Sequence, residues 1–326
     1  MIIRWAPAVV ALLVAITMKP AVAQDWPTRP ITLVVPGAGG GPIDVIGRIL
    51  APRMSEILGR QVIVEAVPGA GGMTAAARVA RAAPDGYHVL LGAGGVLAQN
   101  QTLYKHPLYN STTDFAPVGL IALAPPILVT RINFPASNLT EFIAYAKQNQ
   151  DTIQFGSAGP GSGPHITCLL LNLATGITAT HVAYRGSAPV YQDLIAGRID
   201  YMCDFISTAL PQIEGKQVKA IATLTRERTP VLPDLATADE QGVANFDAPG
   251  WYALVLPAGT AQAIMQRLNE AMSDALDSPV VQTHLKDPGN TIALPQQRTP
   301  QYLAAFIRSE IAKWAVPIRA SGVSLE

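Results

Sequence analysis

Charge is scarce in this chain of 326 residues: Asp, Glu, Lys and Arg together make up 14% of it, and 23 basic side chains balance 23 acidic ones. With no basic excess to neutralise a phosphate backbone, no nucleic-acid partner is expected. Cysteine is scarcer still. Cys168 and Cys203 are the only two, too few for a disulfide-built scaffold. No Cys or His cluster has zinc-like spacing, so no metal is expected. Long apolar runs are missing too. The run from Ala6 to Ile16 falls short of the roughly 18 consecutive apolar residues that a membrane helix needs, and no other stretch approaches that length. Nucleotide signatures also fail. Gly37-Ala38-Gly39-Gly40-Gly41-Pro42 puts proline where the dinucleotide fingerprint needs its third glycine, and no P-loop lysine occurs, so no cofactor is expected. Ser157, Ser162 and Ser187 lie outside any G-x-S-x-G elbow, and Ser162, three residues before His165 at a helix start, suits capping better than activation by that imidazole. No residue is assigned a catalytic role.

What the N-terminus does contain is Arg4, a short apolar run and Ala21-Val22-Ala23, the small-x-small form of a signal-peptidase site. Residues 1–23 therefore read as an export signal, with the mature chain starting near Gln24. Removing them takes away Arg4 and Lys19 and leaves 21 basic against 23 acidic side chains. An exported compartment allows Cys168 and Cys203 to pair if their Cα atoms lie close enough; otherwise they are two buried thiols.

The apolar fraction of 49% is ample for one large core or two ordinary ones. Short β-branched runs end in glycine-rich loops and lead into amphipathic helices, the alternation of parallel α/β sheets. Ile31 to Val35, Val62 to Val67 and His88 to Leu91 read as strands. A helix follows the first from about Ile43, with Ile46, Ile49, Leu50 and Ile57 on one face, a kink at Pro52 and a stop at Gly59. The apolar stretch Phe115 to Arg131, containing Pro125-Pro126, passes from one lobe to another. Strands recur at Ile153 to Phe155, His181 to Ala183, Ile199 to Phe205 and Val218 to Leu224, with helices opened by Pro164 and by Ser187-Ala188-Pro189 and closed by Gly176 and Gly197. Trp251 to Leu256 reads as a strand returning to the first lobe. Two helices follow it, from Ala261 to Leu276 after Thr260 as N-cap, and from Pro300 to about Ala315. The lobes are thus expected at residues 24–124 with 247–326, and at 125–246.

Glycine-rich loops stand directly after strands at Pro36 to Asp44, Gly92 to Gly95 and Gly156 to His165. Such a junction leaves backbone N–H groups unpaired at a helix start and attracts anions. The sequence here resembles the tripartite tricarboxylate transporter substrate-binding receptors, the Bug family, along the whole mature chain. The likeness rests on Trp26-Pro27-Thr28-Arg29-Pro30-Ile31, the loop ending at Asp44, Pro68-Gly69-Ala70-Gly71-Gly72, Ala83-Pro84-Asp85-Gly86-Tyr87 and Asp114-Phe115-Ala116-Pro117-Val118. It continues through Gly156-Ser157-Ala158-Gly159-Pro160-Gly161-Ser162, Tyr184-Arg185-Gly186-Ser187-Ala188-Pro189, Asp204, Ala209-Leu210-Pro211, Trp251-Tyr252 and Pro257-Ala258-Gly259-Thr260.

The resemblance implies a two-lobed α/β periplasmic solute-binding protein of type II-like fold, not an enzyme. Such a protein is expected to be a monomer, to clamp a small carboxylate in a cleft between its lobes and to deliver it to the permease subunits of a tripartite transporter. A sensory role for the same fold stays open. Gly39, Gly40 and Gly41 would let the backbone approach the anion. Asp44 would orient water, cap its loop or compensate a helix start. Ser157, Gly159, Ser162 and His165 would form the facing loop, with Ser162 a donor or a cap and His165 a donor or a packed residue. Tyr184 and Arg185 would form the rim, Arg185 taking a second carboxylate or standing solvated, and Asp204 would meet an amino group or hydroxyl, or cap the next turn. Gly37 stands where the family commonly has an aromatic residue, and Ile43 where a small hydroxyl residue is usual, which implies a roomier, greasier pocket suited to an aromatic or longer-chain carboxylate.

Overall fold

The computed structural model describes residues 26–287, 289–320 and 322–326. The export signal read at residues 1–23 lies outside the described residues. Strands β1 (Ile31–Val35), β2 (Val62–Ala66), β3 (His88–Ala93), β4 (Phe115–Ala124), β5 (Pro126–Arg131), β6 (Gln154–Ser157), β7 (Thr180–Ala183), β8 (Tyr201–Phe205), β9 (Val218–Thr223), β10 (Gly250–Pro257) and β11 (Thr291–Ile292) form two sheets. Their orders are β11-β4-β10-β3-β1-β2 in the first lobe and β7-β6-β8-β5-β9 in the second.

The sheets are mixed, where the alternation of strand and helix predicted parallel ones. Parallel pairs join β1 to β2 and β3, and β6 to β7 and β8. By contrast, β10 runs antiparallel between β3 and β4, and β5 antiparallel between β8 and β9. The cause is the crossing between lobes. The stretch from Phe115 to Arg131 divides at Pro125, so β4 leads directly into β5, and β10 brings the chain back. The strands by which the chain enters the second lobe and re-enters the first, β5 and β10, run against the direction of the parallel strands beside them. All eight residues of β10 are buried, as befits a central strand covered on both faces.

The helix Pro42–Leu58 buries Ile46, Leu50, Met54 and Leu58, a spacing that puts one stripe on the sheet. It runs on through Pro52 and stops at Gly59, whose φ of 68° is cheap for glycine. Thr260 is not the N-cap of the next long helix: its hydroxyl donates to the Pro257 carbonyl, and the helix begins at Gln262 after Ala261. The last helix extends beyond the expected end, over Pro300–Ala320. It is held to β10 by Glu310, whose Oε2 accepts from the indole N–H groups of Trp251 at 3.0 Å and Trp314 at 2.9 Å. Two donors offset the cost of burying that carboxylate. Cys168, on the helix Gly163–Thr175, and Cys203, on β8, form a disulfide with Cα atoms 5.3 Å apart.

Candidate ligand-binding site

A cavity of about 360 Å³ opens between the lobes. Its walls are loops that leave the ends of parallel strands: residues 36–41 after β1, 68–72 after β2, 158–163 after β6 and 184–187 after β7. This is where α/β sheets present helix starts to a ligand. Phe205 and Tyr252 form an aromatic wall, their ring centroids 6.2 Å apart and their planes at 72°. The lobes touch beside the cavity, where Tyr104 Oη donates to the carbonyl of the lining residue Pro160 at 3.0 Å.

Two helix starts face this space. Gly41 precedes the helix Pro42–Leu58, and Ser162 caps the helix Gly163–Thr175 by accepting from the His165 N–H. Proline at N1 or N2 of each helix removes one donor from the first turn and leaves the others. Among the described residues, the N–H groups of Ala38, Ile43, Ala158 and Gly163, all from residues lining the cavity, make no hydrogen bond within the protein. Unpaired N–H groups at two converging helix starts make an anion site without a buried cation.

Of the residues singled out in the sequence, Gly41, Gly159, Ser162, Tyr184 and Arg185 line the cavity. Arg185 is exposed and, among the described residues, is the sole charged group of the lining and has no ion pair or hydrogen bond. Six others stand behind the wall. Asp44 turns inward, accepting from the Gly40 N–H at 2.9 Å and from Arg48 Nε at 2.7 Å, so it braces the loop. Gly39 and Gly40 are exposed, and Gly40, with φ at 80°, lines a separate crevice. Ser157 Oγ lies 2.7 Å from His181 Nε2, and His165 Nδ1 accepts from the Gly161 N–H at 3.1 Å. Both residues are engaged in shaping the 158–163 loop from below. Asp204, fully buried, accepts from Ser187 Oγ and Thr208 Oγ1.

Sequence reasoning left Phe205, Tyr252, Ser187 and the 68–72 loop off the site. The glycines of Pro68-Gly69-Ala70-Gly71-Gly72 were the available signal, because three of them have positive φ. Gly37 and Ile43 adjoin on the cavity wall: a Cβ at Gly37 would lie in ordinary contact with Ile43 Cγ2, at 3.5 Å.

Burial, together with the repulsion of His181, holds His165 down to about 3, and burial holds His181 down to about 4. Their rings lie 4.2 Å apart. Both are neutral in the folded protein but charge readily when unfolded, so the stability they contribute is present above about 6.5 and lost as pH falls toward 4. Burial pushes Asp204 the other way, up to about 6, so its smaller contribution is lost as pH rises from about 4 to 6. Two histidines against one aspartate give a melting temperature that falls between pH 6 and 4. A thermal denaturation series in pH checks this, and His165→Asn should flatten the fall.

Residues 46–323 match the family described as "Tripartite tricarboxylate transporter family receptor". A UPF0065 protein of Agrobacterium vitis is 38% identical over 96% of this chain and 91% of its own length. The solved periplasmic binding protein BugD superposes with a TM-score of 0.89 at 36% identity, covering 92% of this chain and all of BugD. MatC from Rhodopseudomonas palustris, solved with bound malate, superposes with a TM-score of 0.88 at 39% identity, covering 90% of this chain and all of MatC. The two-lobed fold, the cleft with unpaired helix starts and these matches agree: the chain belongs to the tripartite tricarboxylate transporter receptors of the Bug type, a family of carboxylate-binding solute receptors.

Proposed function

We propose that this receptor works in the periplasm as a monomer, clamps a small organic carboxylate between residues 24–124 with 247–326 and residues 125–246, and hands it unchanged to the membrane subunits of a tripartite transporter. The observation that carries this is the group of unpaired N–H donors from Ala38, Ile43, Ala158 and Gly163 around one interlobe cavity. One carboxylate satisfies donors from both lobes at once and so favours their closure. Release without chemistry fits the lining. The histidines nearest the cavity are committed to Gly161 and Ser157, and among the described residues neither serine of the lining, Ser162 or Ser187, is hydrogen-bonded to an imidazole. Arg185, at the rim, takes a second anionic group, and Phe205, Tyr252 and Ile43 cover an apolar middle. The malate bound by MatC supports a dicarboxylate.

Titration calorimetry of the protein with mono-, di- and tricarboxylates tests the reading. Dicarboxylates are expected to bind, and Arg185→Gln to weaken them by about tenfold or more, the usual size of a lost charge-assisted pair, while weakening monocarboxylates less. Equal weakening of both classes defeats the role given to Arg185. Silence across the panel defeats the receptor reading for carboxylates.

A further inference from the structure

The lobes are joined by a contact that lies outside the cavity wall. Tyr104 is 6% exposed and does not line the cavity, yet its Oη donates to the Pro160 carbonyl of the other lobe. Among the described residues, that carbonyl accepts no other hydrogen bond. Pro160 stands between Ala158 and Gly163, whose unpaired N–H groups belong to the ligand space, so whatever holds Pro160 also holds those donors in place. The tip of this loop sits in a socket of the first lobe. A Cβ on Gly161 would stand 2.7 Å from Asn100 Oδ1 and 2.8 Å from Tyr104 Cε2, and a Cβ on Gly71 would meet the same Pro160 carbonyl oxygen. Asn100 Nδ2 donates to the Gly71 carbonyl at 3.1 Å, so Asn100 and Tyr104, four residues apart in the chain, brace the two sides of the seam.

Tyr104 is itself held by a segment distant in the sequence. It follows the short helix Asn100–Leu103, and its backbone turns extended, with φ at −94° and ψ at 138°. A helix end leaves carbonyls without partners. Leu325 supplies one: its N–H donates to the Leu103 carbonyl at 2.8 Å, and its own carbonyl accepts from the Lys105 N–H at 2.9 Å. This parallel bridge brackets Tyr104 on both sides, and Glu326 adds an ion pair with Lys105. We propose that Tyr104 is a positioning residue for ligand retention, the latch of the closed lobes, and that Leu325, through its bonds to Leu103 and Lys105, is the strap that aims it. The inference rests on the carboxylate-receptor reading and adds what keeps the same site shut. When the lobes part, the hydroxyl and the carbonyl each meet water; when they close, each needs the other, because a carbonyl left unpaired at a seam loses its water without a replacement. The hydroxyl therefore acts on the closed state and acts alike on every ligand, since Tyr104 stands off the cavity wall.

The test measures binding and release of malate and of succinate by the full chain, with calorimetry for affinity and stopped-flow tryptophan fluorescence for rates. Tyr104→Phe keeps the ring and is expected to weaken both ligands by about tenfold, the scale of a lost hydrogen bond whose partner is left unpaired. The loss should lie in the dissociation rate, with the association rate unchanged, because capture precedes closure. A purely structural role would lower the melting temperature without speeding release. Leu325→Pro removes the N–H that reaches Leu103 and should speed release in the same way. Because both changes act through one hydroxyl, the double variant should release ligand no faster than Tyr104→Phe alone. Wild-type release rates in either single variant, a loss confined to one of the two ligands, or losses that multiply in the double variant overturn the inference and leave the receptor reading standing. Failure of every carboxylate to bind the wild-type protein removes that reading and the inference together.

Discussion

Gly71→Ala is expected to weaken ligand binding by about a hundredfold or more, the scale of penalty when the binding-competent closed state is made rare. A Cβ at Gly71 would stand 2.2 Å from the Pro160 carbonyl oxygen and 3.0 Å from Gly161 Cα, both in the facing lobe. That obstacle is backbone, with no rotamer to swing aside, so the lobes must part. Parting breaks the Tyr104–Pro160 hydrogen bond and separates the N–H groups of Ile43 from those of Ala158 and Gly163. The φ of 60° at Gly71 adds about 1–2 kcal/mol for a side chain, a cost neighbouring Ala70 already bears at φ 46°. Stability of the unliganded protein should therefore fall by about 1–2 kcal/mol. Calorimetry checks the affinity and thermal denaturation checks the fold; an affinity within a few-fold of wild type would show that these loops need not meet when ligand is held.

Replacing both Cys168 and Cys203 by serine is expected to cost about 3–4 kcal/mol of stability, from the chain entropy of a loop spanning 35 residues. For an α/β lobe of this size that lowers the melting temperature by roughly 10 °C. The disulfide ties the helix Gly163–Thr175, whose first residue faces the cavity, to β8, which ends at Phe205 on the cavity wall. Because such a link acts mainly on the unfolded chain, the double variant is expected to bind ligand within about threefold of wild type while melting earlier. A large loss of affinity with an unchanged melting temperature would instead make the disulfide a positioning device for the helix start.

Much of this architecture was legible along the chain because it depends on neighbours in sequence. Strand ends followed by glycine loops put helix starts near Ile43 and Pro164, one residue from the observed Pro42 and Gly163, and Gly59 and Gly176 both stop their helices at φ 68°. Pro164 and Ser162 marked a helix opening for reasons that hold in a short peptide. Asp44 was left between three roles, and its bonds to the Gly40 N–H and Arg48 make it a brace for its own loop. The side a loop residue presents to a cavity was not legible. Ser157 and His165 sit in the right loop but turn to His181 and Gly161, because the packing beneath the loop offers them partners there.

By itself the sequence determined two α/β lobes, glycine loops suited to an anion and the family to which they belong, since strand length, capping and glycine conformation are set by local chemistry. Only the tertiary structure decided that both sheets are mixed, that Cys168 meets Cys203, and that Phe205 and Tyr252 share one wall. It alone brought the Ser187 hydroxyl onto Asp204. Those outcomes join residues far apart in the chain, whose proximity depends on strand order and on two crossings between lobes, and neither is encoded in any local pattern.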